Sequence, residues 1–278
     1  MELWLIEEHT PGYSVNWKIK QTIHTEKTAF QHLAVVETVD FGRALILDGI
    51  VQVTQTDEFI YHEMIAHVPL FTHPNPQNVL VIGGGDGGTV REILKHPQVQ
   101  VDLVEIDARV IENCRRFLPE LGQALEDPRV QIVVADGIEY VKQTEKRYDI
   151  VIIDSSDPIG PATGLFSQEF YQGVYRVLKA DGLMVAQTES PIFNKELLSG
   201  VYADLQELFP LAYVYLTCVP SYIAGFWTFS LASKKYDPLQ PARKPSLAEG
   251  AFRYYTPEIH HATFVLPPFV QKVLKGNS

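Results

Sequence analysis

Apolar and polar positions follow two different rhythms along the chain. Over residues 1–55 the apolar positions alternate with polar ones or gather in short β-branched runs, at Val15 to Thr25, Gln31 to Val39 and Ala44 to Val53. Asp40-Phe41-Gly42 and Asp48-Gly49 punctuate them as turns. No helical period is present, so the pattern predicts a small antiparallel sheet. A helix is expected from Asp57. Thr56 is its cap, Asp57 and Glu58 favour the positive end of its dipole, and Phe59, Ile60, Met64 and Val68 form an apolar stripe. Thr72-His73-Pro74-Asn75-Pro76 then breaks the chain. The expected division is a β unit over 1–55, a linking helix and linker over 56–76, and a second unit over 77–278.

Beyond Asn78 the pattern becomes strand, loop, helix. Apolar runs recur at Val79–Ile82, Val101–Glu105, Val130–Val134, Ile150–Asp154 and Leu183–Gln187, with helical stretches at Gly88–Lys95, Arg109–Phe117, Gln168–Leu178 and Lys195–Phe209. Strands this apolar are buried on both faces, and helices between them imply an α/β fold with a parallel sheet. Ala212–Val219 and Phe226–Ala232, joined by a turn-rich link, predict a closing antiparallel hairpin. The Pro-rich tail from Asp237 is expected to wrap the surface.

Composition narrows the possibilities. With 46% apolar and 21% charged residues the chain can bury a core, and no stretch reaches the roughly 20 apolar residues a membrane span needs. Acid rather than base near the N-terminus argues against a signal peptide, so a cytoplasmic protein is expected. Thirty-four acids against 23 bases leave a net charge of −11, which disfavours a nucleic-acid partner. Cys114 and Cys218 lack metal-ligand spacing. His62 and His67 are five residues apart, hence about 140° apart on a helix, and cannot share a metal; His260 and His261 read as structural. No metal is expected.

Gly83-Gly84-Gly85-Asp86-Gly87-Gly88 follows the first strand of the second unit and opens a helix, where bare backbone lets a ligand approach closely. Glu105 ends the next strand, the usual place for a carboxylate on a ribose diol. A dinucleotide would bring a pyrophosphate to this loop, and Asp86 would oppose it by about 4 kcal/mol per contact at roughly 4 Å and a dielectric near 20. A sulfonium nucleoside such as S-adenosylmethionine fits better than NAD. Asp136 and Gly137 follow the third strand and Asp154-Ser155-Ser156-Asp157 the fourth, so this topology gathers five carboxylates around one crevice that attracts polycations. Tyr61, His62, Tyr222 and Trp227 are candidate aromatic walls for such cations.

These residues resemble a known family. Asp48-Gly49-Ile50-Val51-Gln52, Asp57-Glu58-Phe59-Ile60-Tyr61-His62-Glu63-Met64, the glycine loop, Val104-Glu105-Ile106-Asp107, Asp154-Ser155-Ser156-Asp157-Pro158-Ile159-Gly160-Pro161 and Tyr254-Tyr255-Thr256-Pro257-Glu258-Ile259-His260 are similar to the spermidine synthases, the polyamine aminopropyltransferases. The resemblance runs along nearly the whole chain. It implies a β domain on a methyltransferase-type, Rossmann-like sheet, assembled as a homodimer or homotetramer. It also implies transfer of aminopropyl from decarboxylated S-adenosylmethionine, a co-substrate rather than a tightly bound cofactor, to putrescine.

On the matching positions Asp154 would be the catalytic carboxylate, Asp86 the partner of the aminopropyl amine, Glu105 of the ribose, and Asp136 with Gly137 of the adenine. Gln31, His62 and Pro161 would add contacts to nucleoside or amine. Tyr61, Asp157, Gln187 and Tyr222 would line the amine channel, Ser155 and Ser156 would be further substrate-binding positions, and Gly83, Gly84, Gly85 and Gly87 would form the donor loop. Thr188-Glu189-Ser190-Pro191 is where amine choice could vary. The rival readings are a diamine N-methyltransferase and a non-catalytic polyamine-binding protein.

Overall fold

The computed structural model describes residues 2–158, 160–243 and 250–276. Five strands open the chain: β1 (Leu3–Thr10), β2 (Tyr13–Lys27), β3 (His32–Thr38), β4 (Arg43–Leu47) and β5 (Ile50–Thr54). They form one antiparallel sheet in chain order. β1 escaped the sequence reading because its alternation is inverted. Trp4 and Ile6 point outward and are more than half exposed, while Glu7, on the inner face, is buried. The Trp17 indole donates to Glu7 Oε2 at 2.7 Å and the Val51 N–H to Oε1 at 2.9 Å, which satisfies the buried carboxyl.

Helix α1 (Glu58–Thr72) follows. Its N-terminus differs from expectation: Asp57, not Thr56, holds the cap position, and no side chain caps the helix. Asp57 instead accepts from Thr54 Oγ1 and from the backbone N–H and hydroxyl of Ser221, tying the helix start to the late turn. Nor is there a single apolar stripe. Apart from Phe59 and Ile60 every residue of α1 is buried, because the helix is enclosed by the second sheet, α2 and the C-terminal segment. Its polar residues must therefore be paired inside the protein.

The remaining elements are β6 (Asn78–Gly83), α2 (Gly88–Leu94), β7 (Gln100–Glu105), α3 (Ala108–Phe117), α4 (Pro119–Gly122), β8 (Val130–Val134), α5 (Gly137–Gln143), β9 (Tyr148–Asp154), α6 (Gln168–Val177), β10 (Leu178–Gln187), α7 (Lys195–Leu208), β11 (Leu211–Cys218), β12 (Phe226–Ser233), α8 (Pro257–Ala262) and α9 (Pro268–Leu274). The second sheet has the order β11-β12-β10-β9-β6-β7-β8. β6 to β10 run parallel, and β11 and β12 close the edge as the antiparallel hairpin.

Chain order reverses between β6 and β9, the switch point at which such sheets open a ligand crevice beyond their carboxyl ends. The register there pairs Gly83 with Asp154, so the glycine loop and that carboxylate leave the sheet side by side. The C-terminal segment is more than a surface wrap. Phe252 and Tyr255 pack on His67 and Phe71, and the Glu63 carboxylate accepts the backbone N–H groups of Arg253, Tyr254 and Tyr255.

Candidate active site

A cavity of about 420 Å³ lies at the carboxyl ends of β6, β7 and β9 and is closed from the other side by the N-terminal sheet. Asp86, Glu105, Asp136, Asp154 and Asp157 all line it. The loop glycines make room for these side chains as well as for a ligand. A Cβ on Gly84 would stand 2.8 Å from Asp154 Oδ2, one on Gly85 2.8 Å from Glu105 Oε2, and one on Gly88 2.1 Å from the His62 ring. Gly83 and Gly84 also have positive φ, +81° and +67°, which favours glycine for a second reason.

Four groups of alternating charge run from the half-buried Arg91 into the cavity. Arg91 forks onto both oxygens of Glu58 at 3.0 and 2.8 Å, and Glu58 Oε2 meets His62 Nδ1 at 2.6 Å. The other nitrogen, Nε2, lies 3.5 Å from Asp86 Oδ1. Burial alone would favour neutral His62, but the Asp86 and Glu58 carboxylates outweigh it and push the imidazole up to about 10, so it is an imidazolium. Burial likewise opposes the charge on Asp86, yet His62 and the Gly88 N–H, 2.6 Å from Oδ1, hold its carboxyl below the usual range.

Asp154 has the opposite balance: burial, then the Asp86 charge, raise its carboxyl. Its Oδ1 accepts the Tyr61 hydroxyl and its Oδ2 the Thr89 hydroxyl, both at 2.7 Å. Glu105 is pushed up to about 7, by burial first and by the Asp107 and Asp86 charges after it. The Asp107 N–H binds its Oε1 at 2.9 Å.

Further along the cavity Asp157 lies beside Glu189, and both carboxyls are raised by burial. Glu189 adopts φ +67° and is held by Gln187, whose Nε2 donates to Glu189 Oε1 at 3.2 Å and to the Ser155 carbonyl at 3.1 Å. Gln187 thus also latches the loop that carries Asp157. Burial pushes Glu7, on the β1 wall, up to about 7. Tyr61, Tyr222 and Trp227 form a run of edge-to-face rings along the same wall, and the Tyr222 hydroxyl reaches across to the Gln52 carbonyl at 2.7 Å.

The other expected positions are more varied. Asp136 lines the cavity and is also a helix cap, accepting the Ile138 N–H at 2.8 Å. A Cβ on Gly137 would stand 2.4 Å from Ile82, so its role is visible as close packing. Gln31 lines the cavity but donates to Asp107 at 3.0 Å. Ser155 and Ser156 line it, with Ser155 Oγ buried and unpartnered. The Pro161 side chain and Ile159 lie outside the described residues. His67 pairs with Glu92 and His96, and Arg91, donating to Glu92 Oε1 at 2.9 Å, links this pair to His62's partner Glu58. The sequence reading missed Glu7, Thr89 and the Glu58–Arg91 pair as parts of this site, and had Glu189 only within a variable segment.

Comparison with known proteins agrees with the geometry. Residues 58–241 match the spermine/spermidine synthase domain family, and residues 3–55 match the spermidine synthase tetramerisation domain. A polyamine aminopropyltransferase of Moorella thermoacetica is 59% identical over 275 residues, spanning 99% of this chain and 97% of that protein. One from Bacillus subtilis is 50% identical, with 99% of both chains covered. Among solved structures, a spermidine synthase in complex with the transition-state analogue AdoDATO superposes with a TM-score of 0.95 at 41% identity, covering 98% of this chain and 95% of that one. The spermidine synthase of Thermotoga maritima gives 0.93, also at 41% identity, with 98% and 94% covered.

Proposed function

The chain belongs to the spermine/spermidine synthase family, and from that premise we propose that this cavity transfers the aminopropyl group of decarboxylated S-adenosylmethionine to putrescine, giving spermidine and 5'-methylthioadenosine. The observation that carries the assignment of roles is the contrast between two neighbouring carboxyls, Asp86 held low by the His62 imidazolium and Asp154 raised. Environments that drive two acids apart separate an anchor from a base. Asp86 is the anchor for the donor's ammonium. Glu105 takes the ribose hydroxyls, and Asp136 with Gly137 borders the adenine. Asp157 and Glu189 hold the acceptor's far ammonium, with Glu7 beside them.

The reaction is a displacement. The amine nitrogen attacks the carbon next to sulfur, and the carbon–sulfur bond breaks with its electron pair left on the thioether. Positioning the two substrates in line supplies much of the acceleration. An amine near 10 and an ordinary aspartate near 4 differ by about 6 units, or roughly 8 kcal/mol against proton transfer. The raised Asp154 narrows this gap from one side, and a sulfonium in a dry cavity lowers the amine from the other.

The outward Trp4 and Ile6 of the N-terminal sheet support assembly into homo-oligomers, with the tetramer favoured by the domain that residues 3–55 match. No helix among the described residues is long and apolar enough to cross a membrane, and we place the reaction in the cytoplasm.

Mass spectrometry of products tests the reading. The protein is given ordinary or decarboxylated donor with putrescine, cadaverine, agmatine and spermidine. Spermidine with methylthioadenosine from the decarboxylated donor alone is expected; a methylated diamine from the ordinary donor would move the chain to the methyltransferases.

Glu7 gives a pH prediction. A cationic acceptor requires this carboxyl ionised, and its value of about 7 makes kcat/KM for the amine rise with pH through that region at saturating donor. Glu7→Gln should remove this ionisation and raise the amine KM about tenfold, the loss of one partly buried charge contact. An unchanged pH profile in the variant would show that Glu7 is not part of the amine channel.

A further inference from the structure

Both oxygens of Asp154 are claimed by hydroxyls, one from each side of the loop. Tyr61 on α1 holds Oδ1, and Thr89, fully buried in the first turn of α2, holds Oδ2. A helical threonine commonly turns its hydroxyl back to a carbonyl of its own helix. Thr89 instead reaches across to β9. It can do so because Gly83 and Asp154 are in register and because Gly84 carries no Cβ, which would stand 2.8 Å from that same Oδ2. A carboxylate offers about four lone-pair sites. Two are occupied here, one on each oxygen, so the plane of the group cannot rotate without breaking a hydrogen bond.

We propose that Thr89 is a positioning residue for aminopropyl transfer: opposed by Tyr61, its hydroxyl locks the Asp154 carboxylate so that the attacking amine meets one fixed set of free lone pairs. This rests on Asp154 being the proton acceptor. The charged and titratable groups around Asp154 are Tyr61 and His62 from α1, Asp86 from the glycine loop and Tyr222 from the β11–β12 link. Burial and Asp86 raise the carboxyl, whereas His62, Tyr61 and Thr89 lower it. Removing the Thr89 hydroxyl alone therefore frees the plane and raises Asp154 further.

The test compares Thr89→Val, which keeps the shape and deletes the hydroxyl, with Thr89→Ser, which keeps the hydroxyl, and with Asp154→Asn. For Thr89→Val, kcat should fall about tenfold, one charge-assisted hydrogen bond, with both KM values within about twofold. The acid limb of the kcat–pH profile should move up by roughly half to one unit, because a donor to the charged form is gone. Thr89→Ser should restore both. If Thr89→Val keeps the wild-type kcat and acid limb while Asp154→Asn is crippled, the proposal falls and the role of Asp154 stands. If Asp154→Asn itself turns over normally, both fall. A Thr89→Val loss that raises both KM values, leaves the limb in place and is not rescued by serine would mark Thr89 as a packing residue and overturn the proposal.

Discussion

Asp154→Asn is expected to lower kcat by about three orders of magnitude at pH 7, in the range that a positioned general base supplies, while donor affinity changes by less than about threefold. The substitution is nearly isosteric. The Tyr61 and Thr89 hydroxyls can each donate or accept, so one can keep donating to the remaining oxygen while the other accepts from the new amide. Folding and the donor pocket should survive. What is lost is the lone pair that receives the amine's proton, together with the negative charge that helps fix the amine. Turnover measured beside calorimetric donor binding separates these effects. An equal loss in both would mean that Asp154 belongs to the donor site, and the division of labour with Asp86 would have to be abandoned.

That division was only half legible in the sequence. The glycine run, the strand-end acids and the parallel order could be read because each is local: a loop between a strand and a helix, or a carboxylate after an apolar run. The pairing of Gly83 with Asp154 then follows from the reversal of strand order. What makes Asp86 differ from Asp154 is not local. It comes from His62, Glu58 and Arg91, on two helices whose sequences give no sign that these groups meet. The expected apolar stripe on α1 failed for the same reason, since a helix enclosed by the second sheet, α2 and the C-terminal segment has no solvent face to leave polar. The Asp86 carboxylate is also less free than a loop residue looks in the sequence, because an imidazolium already sits against one of its oxygens. Glu7 was hidden by inverted alternation: the outward residues of β1 are the apolar ones, which suits a surface that associates with other subunits and conceals a buried acid from any reading by hydropathy. Glu189 is placed by a positive φ and by Gln187, neither of which leaves a trace in residue spacing.

The second large effect is expected on stability. In Glu58→Gln the half-buried Arg91 keeps Glu92 but the buried His62 loses the carboxylate on its Nδ1, and breaking one member of a buried charge chain costs up to about 3–5 kcal/mol at pH 7. The pH dependence gives the specific signature. The His62 imidazole is raised from its ordinary value near 6.5 to about 10 in the folded protein, so the stability it contributes is fully present below pH 6.5 and is lost as pH rises through about 10. Urea unfolding midpoints of the wild type should accordingly decline across that window. With glutamine at position 58 one of the two carboxylates holding the imidazolium is gone, so the decline still begins near pH 6.5 but should end at lower pH and be smaller, and the His62 ring signals in an NMR titration should shift at lower pH than in the wild type. A variant as stable as the wild type, with the same pH profile, would mean that Asp86 alone holds the charge on His62. The carboxylate proposed to anchor the donor would then also be the one that keeps its own counter-ion protonated, and Asp86→Asn should reproduce the whole loss. If Glu58→Gln behaves as expected, the proton on His62 is set from outside the cavity, by a pair that never touches substrate, and Asp86 stays ionised whether or not the donor is bound.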